Sequence, residues 1–528
     1  MLKIIKNNIY LLLMVFMFLF WIILQVVKPY SMTTGDTGAM FLVSDLIAKS
    51  FSIFPTDYYY PTEYRFFWAS NFYAPLLYIF NDFNTVRIIA NVLMYLLILL
   101  SIIILYKSLN IERKYAYLTM LILLIPVGNH YIYASLISSF QLTVFITFFF
   151  IIAFFIYITQ NKAYKKIHLI LYLFIIFYTS LNSLKTTIYL IFPLLVTTIF
   201  LYIKYIITKN IDNKIISVRF MKFSLYGIIS ALIAYMINKY LLGSIVPIYD
   251  FTTRFSIINT FKSFSINKAE SIFNQIFTIY HYDNFISIIS NISIYIAITL
   301  FIYILIYLLI INKNIYIDLF IYLFLCLTVE YILLIIFYPV YRPRYYYTTL
   351  IYVPIILIFY MMTTYKLKKY LISYIFIFML FIHGSAVLYN TYTENPRGKL
   401  STYIYLLEDK EINTFKEMIN YFNNNDITYG YGYHDPAHII YELSNGKIEA
   451  GSISFLSKCN ITYMKWDTLH KYYDNNNLYR KSFFIVDKNY YNKCKDKHKF
   501  FIENTADKEI DKYLIFISSK GRILDYFK

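Results

Sequence analysis

Gly35-Asp36-Thr37-Gly38 places a carboxylate a few residues beyond Ile9 to Val27, an apolar run long enough to cross a bilayer. In semi-apolar surroundings such an acid suits a general base that takes a proton from an attacking hydroxyl within about 3 Å. Asp36 equally suits the N-cap of a helix starting near Gly38. Tyr341-Arg342-Pro343-Arg344-Tyr345 offers two guanidiniums on either side of a stiff turn. Arg presents a planar fork to phosphate oxygens, so Arg342 and Arg344 could clamp a lipid phosphate. Arg and Tyr also anchor helices at membrane boundaries. Lys185, in Ser183-Leu184-Lys185-Thr186, is either a further phosphate contact or a loop lysine.

Other chemistry-bearing residues are more isolated. Glu330, in Val329-Glu330-Tyr331, stands nearly alone as an acid within an apolar run, where a carboxyl group usually faces a cavity or a partner. His434 and His438 are four apart, the spacing of zinc-binding helices, but Pro436 intervenes and the expected glutamate is missing. No metal ligand set is assigned, although a divalent metal remains compatible with the acids. Tyr58 to Trp68 is rich in Tyr and Phe; such stretches can stack on sugars, but they more often form the aromatic belt of a membrane interface.

The elements that must position these residues are mostly membrane helices. Of 528 residues, 59% are hydrophobic and 15% charged, and mean hydropathy is +0.55. Soluble domains sit nearer half apolar and a quarter charged. The apolar residues cluster in about eleven runs near bilayer-spanning length: 9–27, 85–106, 115–127, 138–159, 167–181, 186–203, 220–242, 285–311, 315–338, 345–363 and 370–389. The first lacks a small-residue cleavage site and reads as a retained signal-anchor. The net charge of +18 resembles a nucleic-acid binder's, but many lysines lie in short connections between spans, so nucleic acid is not an expected partner. Neither a phosphate-binding GxxxxGK[ST] loop nor a GxGxxG fingerprint is present.

Lys and Arg are densest in the loops around residues 107–114, 162–166, 204–222 and 366–369. The positive-inside rule makes these cytoplasmic, with the N-terminus inside and the C-terminus outside. Two long outer loops follow, 28–84 and 243–284, with apolar residues at helical spacing that suit helices lying in the interface. From Gly398 the long apolar runs stop. Helices are expected over 414–422 and 437–443, and strands over 428–433, 483–486 and 513–517. The expected fold is therefore a polytopic all-α membrane domain, 1–392, followed by a small extracytoplasmic α/β domain, 398–528. Cys459 and Cys494 could pair there or remain free thiols.

This arrangement resembles the GT-C class of membrane glycosyltransferases. An acid after the first span opens a long outer loop; a second long outer loop lies mid-chain; Arg344-Tyr345 precedes a late span; and Thr179 to Leu195, with Lys185 and Pro193, is similar to a stretch of bacterial members. Thr428 to Tyr433, with Leu443-Ser444-Asn445-Gly446, resembles the outer domain of uncharacterised bacterial relatives. The resemblance implies a bacterial cytoplasmic-membrane enzyme that moves a sugar from a polyprenyl-phosphate donor to a glycan, lipid or protein acceptor at the outer face. Asp36 would be the catalytic carboxylate, acting as general base, with Arg342, Arg344 and Lys185 on the donor phosphate. Several such enzymes carry adjacent acids in this loop, whereas Asp36 is followed by Thr37; a second acid would come from Asp57, Glu63 or Asp283. The competing readings are a transporter or flippase of lipid-linked glycan and a non-catalytic envelope assembly protein.

Overall fold

The computed structural model describes residues 2–29, 33–60, 64, 66, 68–132, 142–160, 164–182, 187–246, 273, 274, 276–278, 285–312, 314–337, 347–364, 371–393, 409–455, 459–464, 466–473, 481–518, 523 and 526. Among them are eight helices long and apolar enough to cross a membrane: Asn8–Val27, Phe83–Ser108, Leu142–Gln160, Thr187–Ile207, Ile211–Ile245, Phe285–Ile311, Ile315–Ile332 and Leu371–Thr391. Three shorter apolar helices, Lys114–Leu123, Lys166–Ser180 and Tyr352–Thr364, fall on three further expected spans. A mostly helical protein, with several helices apolar enough to suit a membrane and a C-terminal α/β region, is thus observed.

Two compact units divide the chain. The first comprises Met1–Gln25, Asn91–Asn238 and Thr253–Tyr405; the second comprises Val26–Ala90, Lys239–Thr252 and Leu406–Lys528. In the first unit, the Phe285–Ile311 helix packs on Leu371–Thr393, and Ile211–Met236 packs on Phe192–Ile207 and Lys166–Ser180. A polar group in hydrocarbon is costly unless partnered, and several described ones inside this bundle are partnered. The Trp21 indole N–H donates to the Leu124 carbonyl at 2.9 Å. Asn91 donates to Gln25 at 3.0 Å. His383, fully buried, holds Ser290 Oγ at 2.9 Å and faces the Val127 carbonyl at 3.1 Å. Asp318 accepts from Lys204 at 2.7 Å, from Asn312 at 3.2 Å and from the Tyr205 hydroxyl. Glu330 is therefore not the near-solitary polar group that its sequence neighbourhood suggests; Asp318 and His383 also lie within apolar helices.

The second unit contains the sheet. With β1 (Tyr58–Tyr59), β2 (Tyr429–Tyr433), β3 (Glu449–Phe455), β4 (Ile461–Tyr463), β5 (Thr468–Leu469), β6 (Ser482–Asp487), β7 (Lys508–Ile510) and β8 (Tyr513–Ser518), the six-stranded order is β4-β3-β2-β6-β8-β7. β2 runs parallel to β3 and β6, and the other pairs are antiparallel. Parallel neighbours need a crossover, and the His434–Leu443 helix provides it between β2 and β3. β1 and β5 form a separate antiparallel pair, joining 26–90 to the C-terminal segment inside one unit.

Three tyrosines of the aromatic stretch are core rather than belt. Tyr58, Tyr60 and Tyr64 are fully buried, clustered with Phe54 at ring separations of 5.0 to 5.5 Å. Their hydroxyls donate to Asp467, to the Pro55 carbonyl and to the Val246 carbonyl. The Gly35–Ser50 helix also buries its apolar side, Met40 to Val43, inside the unit, while Phe51 and Ile53 beyond its end stay exposed.

Cys459 and Cys494 form a disulfide with Cα atoms 5.4 Å apart, which decides between the two sequence alternatives. On loop-closure entropy, a bridge across 35 residues stabilises the folded state by about 4 kcal/mol. Without reduction, the denatured protein is expected to react with a maleimide only at Cys326, and after reduction at all three cysteines. Replacing both bridged residues by Ala should lower the unfolding midpoint of the full chain.

Candidate functional site

The site is built where Gly35–Ser50 meets the crossover helix His434–Leu443, both within the second unit. The first helix begins at Thr34, not at Asp36. The Thr34 side chain accepts from the Thr37 N–H at 3.2 Å, and Thr37 Oγ1 accepts in return from the Thr34 N–H at 2.8 Å. This reciprocal box satisfies two donors that a helix start otherwise leaves free. It also corrects the reading of Asp36 as the cap: Asp36 is the second helical residue, half-buried, in the turn where the helix dipole favours a negative charge.

Two glycines allow the helices to touch. A Cβ at Gly38 would overlap the backbone carbonyl of His438, and one at Gly35 would overlap the Asp435 carboxylate. The Gly35-x-x-Gly38 spacing thus serves close backbone approach. Glu442 then locks the contact. Buried at 3% exposure, its carboxylate accepts from Thr33 Oγ1 at 3.0 Å, from Thr37 Oγ1 at 2.7 Å and from Arg87 Nη2. Arg87 lies 5.6 Å from the centroid of the Phe41 ring. The Tyr441 hydroxyl adds a bond to Asp45 at 2.8 Å, and Asp45 is held by Lys49 at 2.6 Å. After the helix, Asn445 adopts left-handed backbone and its side chain accepts from the N–H of Phe83, the first residue of the Phe83–Ser108 helix.

Asp36 is brought to His434 by this packing. His434 is buried, stacks on Trp466 at 5.2 Å between centroids, and lies edge-on to His438 at 4.6 Å. Its Nδ1 is 3.2 Å from Asp435 Oδ1, and its Nε2 has no hydrogen-bond partner among the described residues. Burial pushes the His434 pKa down. The bond to Asp435 and the charges of Asp36, Asp435 and Asp467 outweigh that, so the net shift is upward from 6.5. His438 instead turns its Nε2 to Ser452 Oγ at 3.2 Å. Among the described residues no three His, Cys, Asp or Glu side chains gather as metal ligands, so the His434/His438 spacing builds no such site there.

Of the other sequence candidates, Asp57 lies on the β1–β5 side, 3.8 Å from His470 Nδ1. Glu63, Asp283, Lys185, Arg342 and Arg344 fall outside the described residues. The acids that accompany Asp36 at the imidazole are Asp435 and Asp467, which sequence reasoning did not join to it. Arg87 and Glu442 were missed as well. The available signal was one arginine at the head of an otherwise apolar run. Chemically, the niche sets a carboxylate near an imidazole whose charged form is favoured more than in a free histidine, an arrangement able to hold or move a proton.

No family model matches the chain, and no curated protein is detectably similar to it.

Glu442→Ala leaves Arg87 buried without its counter-charge and should destabilise the second unit by about 3–5 kcal/mol. A double variant, Arg87→Met with Glu442→Leu, should recover part of that loss in chemical unfolding, and an additive double-mutant cycle would contradict the coupling. The His434 shift has a defined sign. Because its folded pKa is raised, its contribution to stability is fully present below about 6.5, the unfolded value, and is lost as pH rises through the folded value. Asp36→Asn and Asp435→Asn should each lower the His434 titration midpoint in NMR of histidine-labelled protein.

Proposed function

We propose that this chain is a membrane glycosyltransferase of the GT-C type, transferring a sugar from a polyprenyl-phosphate donor to an acceptor hydroxyl. The observation that carries the reading is the closeness of the Asp36 turn to His434: a Cβ on the adjacent Gly35 would stand 2.6 Å from His434 Nδ1, and the Asp36 charge helps raise that imidazole's pKa. A carboxylate expected on a loop just past the first span stands in the first turn of a rigidly held helix, beside a buried imidazole. Such a group needs a fixed position more than a flexible loop provides.

In this reading the acceptor oxygen forms a bond to the anomeric carbon as the bond from that carbon to the phosphate oxygen breaks. Asp36 takes the acceptor's proton, and the polyprenyl phosphate leaves with the bonding electrons. His434, held at Nδ1 by Asp435, would stand beside the carboxylate as the proton is taken. Arg342, Arg344 and Lys185 would hold the phosphate. The Cys459–Cys494 bridge supports an extracytoplasmic C-terminal unit, because disulfides persist in oxidising compartments. The exposed apolar residues Phe51, Ile53, Tyr78 and Ile79 support an interfacial position for the 28–84 segment.

The test is an assay of purified protein in lipid nanodiscs with a panel of polyprenyl-phosphate sugars and separated acceptor fractions. Wild type should transfer label from one donor. Asp36→Asn, with an unchanged unfolding midpoint, should lose at least about a hundredfold, the usual worth of a general base. Full activity in that variant would remove Asp36 from the mechanism. Downhill movement of a lipid-linked glycan across liposomes without transfer would favour the transporter reading instead.

A further inference from the structure

The Thr187–Ile207 and Ile315–Phe337 helices of the first unit leave a groove of about 780 Å³ between them. That volume falls within the range of small-molecule sites, about 300–1,000 Å³. Its origin is local. Thr187–Ile191 forms a π-helical turn, and Pro193 follows at the start of the next helical segment. A π turn widens the backbone and proline removes a helical N–H, so neighbouring side chains cannot close over the gap. Ile188, Phe192 and Val196 form one wall; Leu325 and Val329 belong to the other, with Glu330 the single acid among the described residues lining the space.

Glu330 differs from the other acid on its helix. Asp318 is fully occupied by Lys204, Tyr205 and Asn312. Glu330 Oε1 is buried with no hydrogen-bond partner among the described residues. An unsatisfied carboxyl oxygen among apolar side chains is costly, and a ligand that supplies a hydrogen bond removes that cost. Seven residues separate Glu330 from Phe337, so it lies about 10 Å along the axis from the end of its helix.

We propose that this groove binds a long-chain lipid alcohol, with the hydrocarbon chain along the apolar walls and the hydroxyl hydrogen-bonded to Glu330. Three features select that occupant. The walls are almost wholly apolar, which excludes sugars and nucleotides. The acid repels phosphate and carboxylate heads. The apolar lining and the burial of Oε1 disfavour any charged head, an ammonium included, because charge among apolar side chains is expensive. A hydroxyl is uncharged, small, and pairs with a carboxyl group in either protonation state because it both donates and accepts. The site requires neither Asp36 nor the transferase reading.

The test uses the full chain in nanodiscs with four photoactivatable probes of one chain length, ending in hydroxyl, phosphate, carboxylate or amine. The alcohol should label peptides of 187–207 and 315–337 about fivefold more than each of the others, the worth of one net hydrogen bond. Val196→Trp should abolish that labelling by filling the groove. Glu330→Leu should erase the preference for the alcohol while leaving labelling by the chain itself. Equal or stronger labelling by phosphate, carboxylate or amine in the wild type overturns the proposal, as does unchanged alcohol labelling in Val196→Trp. Should Glu330→Leu fail to fold, the wild-type head-group series and the Val196→Trp variant decide the matter without it.

Discussion

The second unit depends on one buried carboxylate. Glu442 collects Thr33, Thr37 and Arg87 from two other helical segments, and each of the three would otherwise need its own partner away from water. A buried charge pair is seldom worth more than the hydrophobic packing that could replace it, but it is expensive to break and exacting about geometry. Its value here is positional. Thr37 is at once a helix-capping residue and a Glu442 ligand, so the start of the Gly35–Ser50 helix is fixed to a particular turn of the crossover helix. Gly35 and Gly38 then set how near the two backbones come. A sliding helix would have to uncap itself and strip Glu442 together.

Asp36 inherits its surroundings from that registration. Its neighbours on both sides are held: Gly35 against Asp435, Thr37 against Glu442. The imidazole of His434 is held too, between Trp466 and His438 with Asp435 at Nδ1. Two groups about 400 residues apart in sequence thus share an electrostatic environment that neither could make alone. Three carboxylates around one buried imidazole overcome the desolvation that would have discharged it.

Much of the fold was legible from periodicity. The long apolar runs became helices because no other backbone arrangement satisfies its own hydrogen bonds in hydrocarbon. The C-terminal strands appeared where β-branched and aromatic residues form short uninterrupted runs, as in Phe483 to Val486. Local chemistry was less legible. Thr34 outcompeted Asp36 as the cap because a threonine three residues later could return the bond. The tyrosines from Tyr58 to Tyr64 have the composition of an interfacial belt and of an aromatic core alike, and only their long-range partners, Asp467 and the Val246 carbonyl, separate the two. Arg87 and Glu442 are 355 residues apart, a distance over which local pattern carries no information.

The same contrast between satisfied and unsatisfied polar groups runs through the helical unit. Asp318, His383, Asn91 and Trp21 each meet a partner on another helix, so each fixes the register of two segments against one another. In hydrocarbon such bonds face little competition from water, and a bundle held by them has few alternative packings. Glu330 contributes nothing of this kind through Oε1. A leucine there would carry no unsatisfied oxygen among the apolar side chains of the groove, and a hydrogen-bonding occupant of the kind proposed would remove the cost that the carboxyl group incurs.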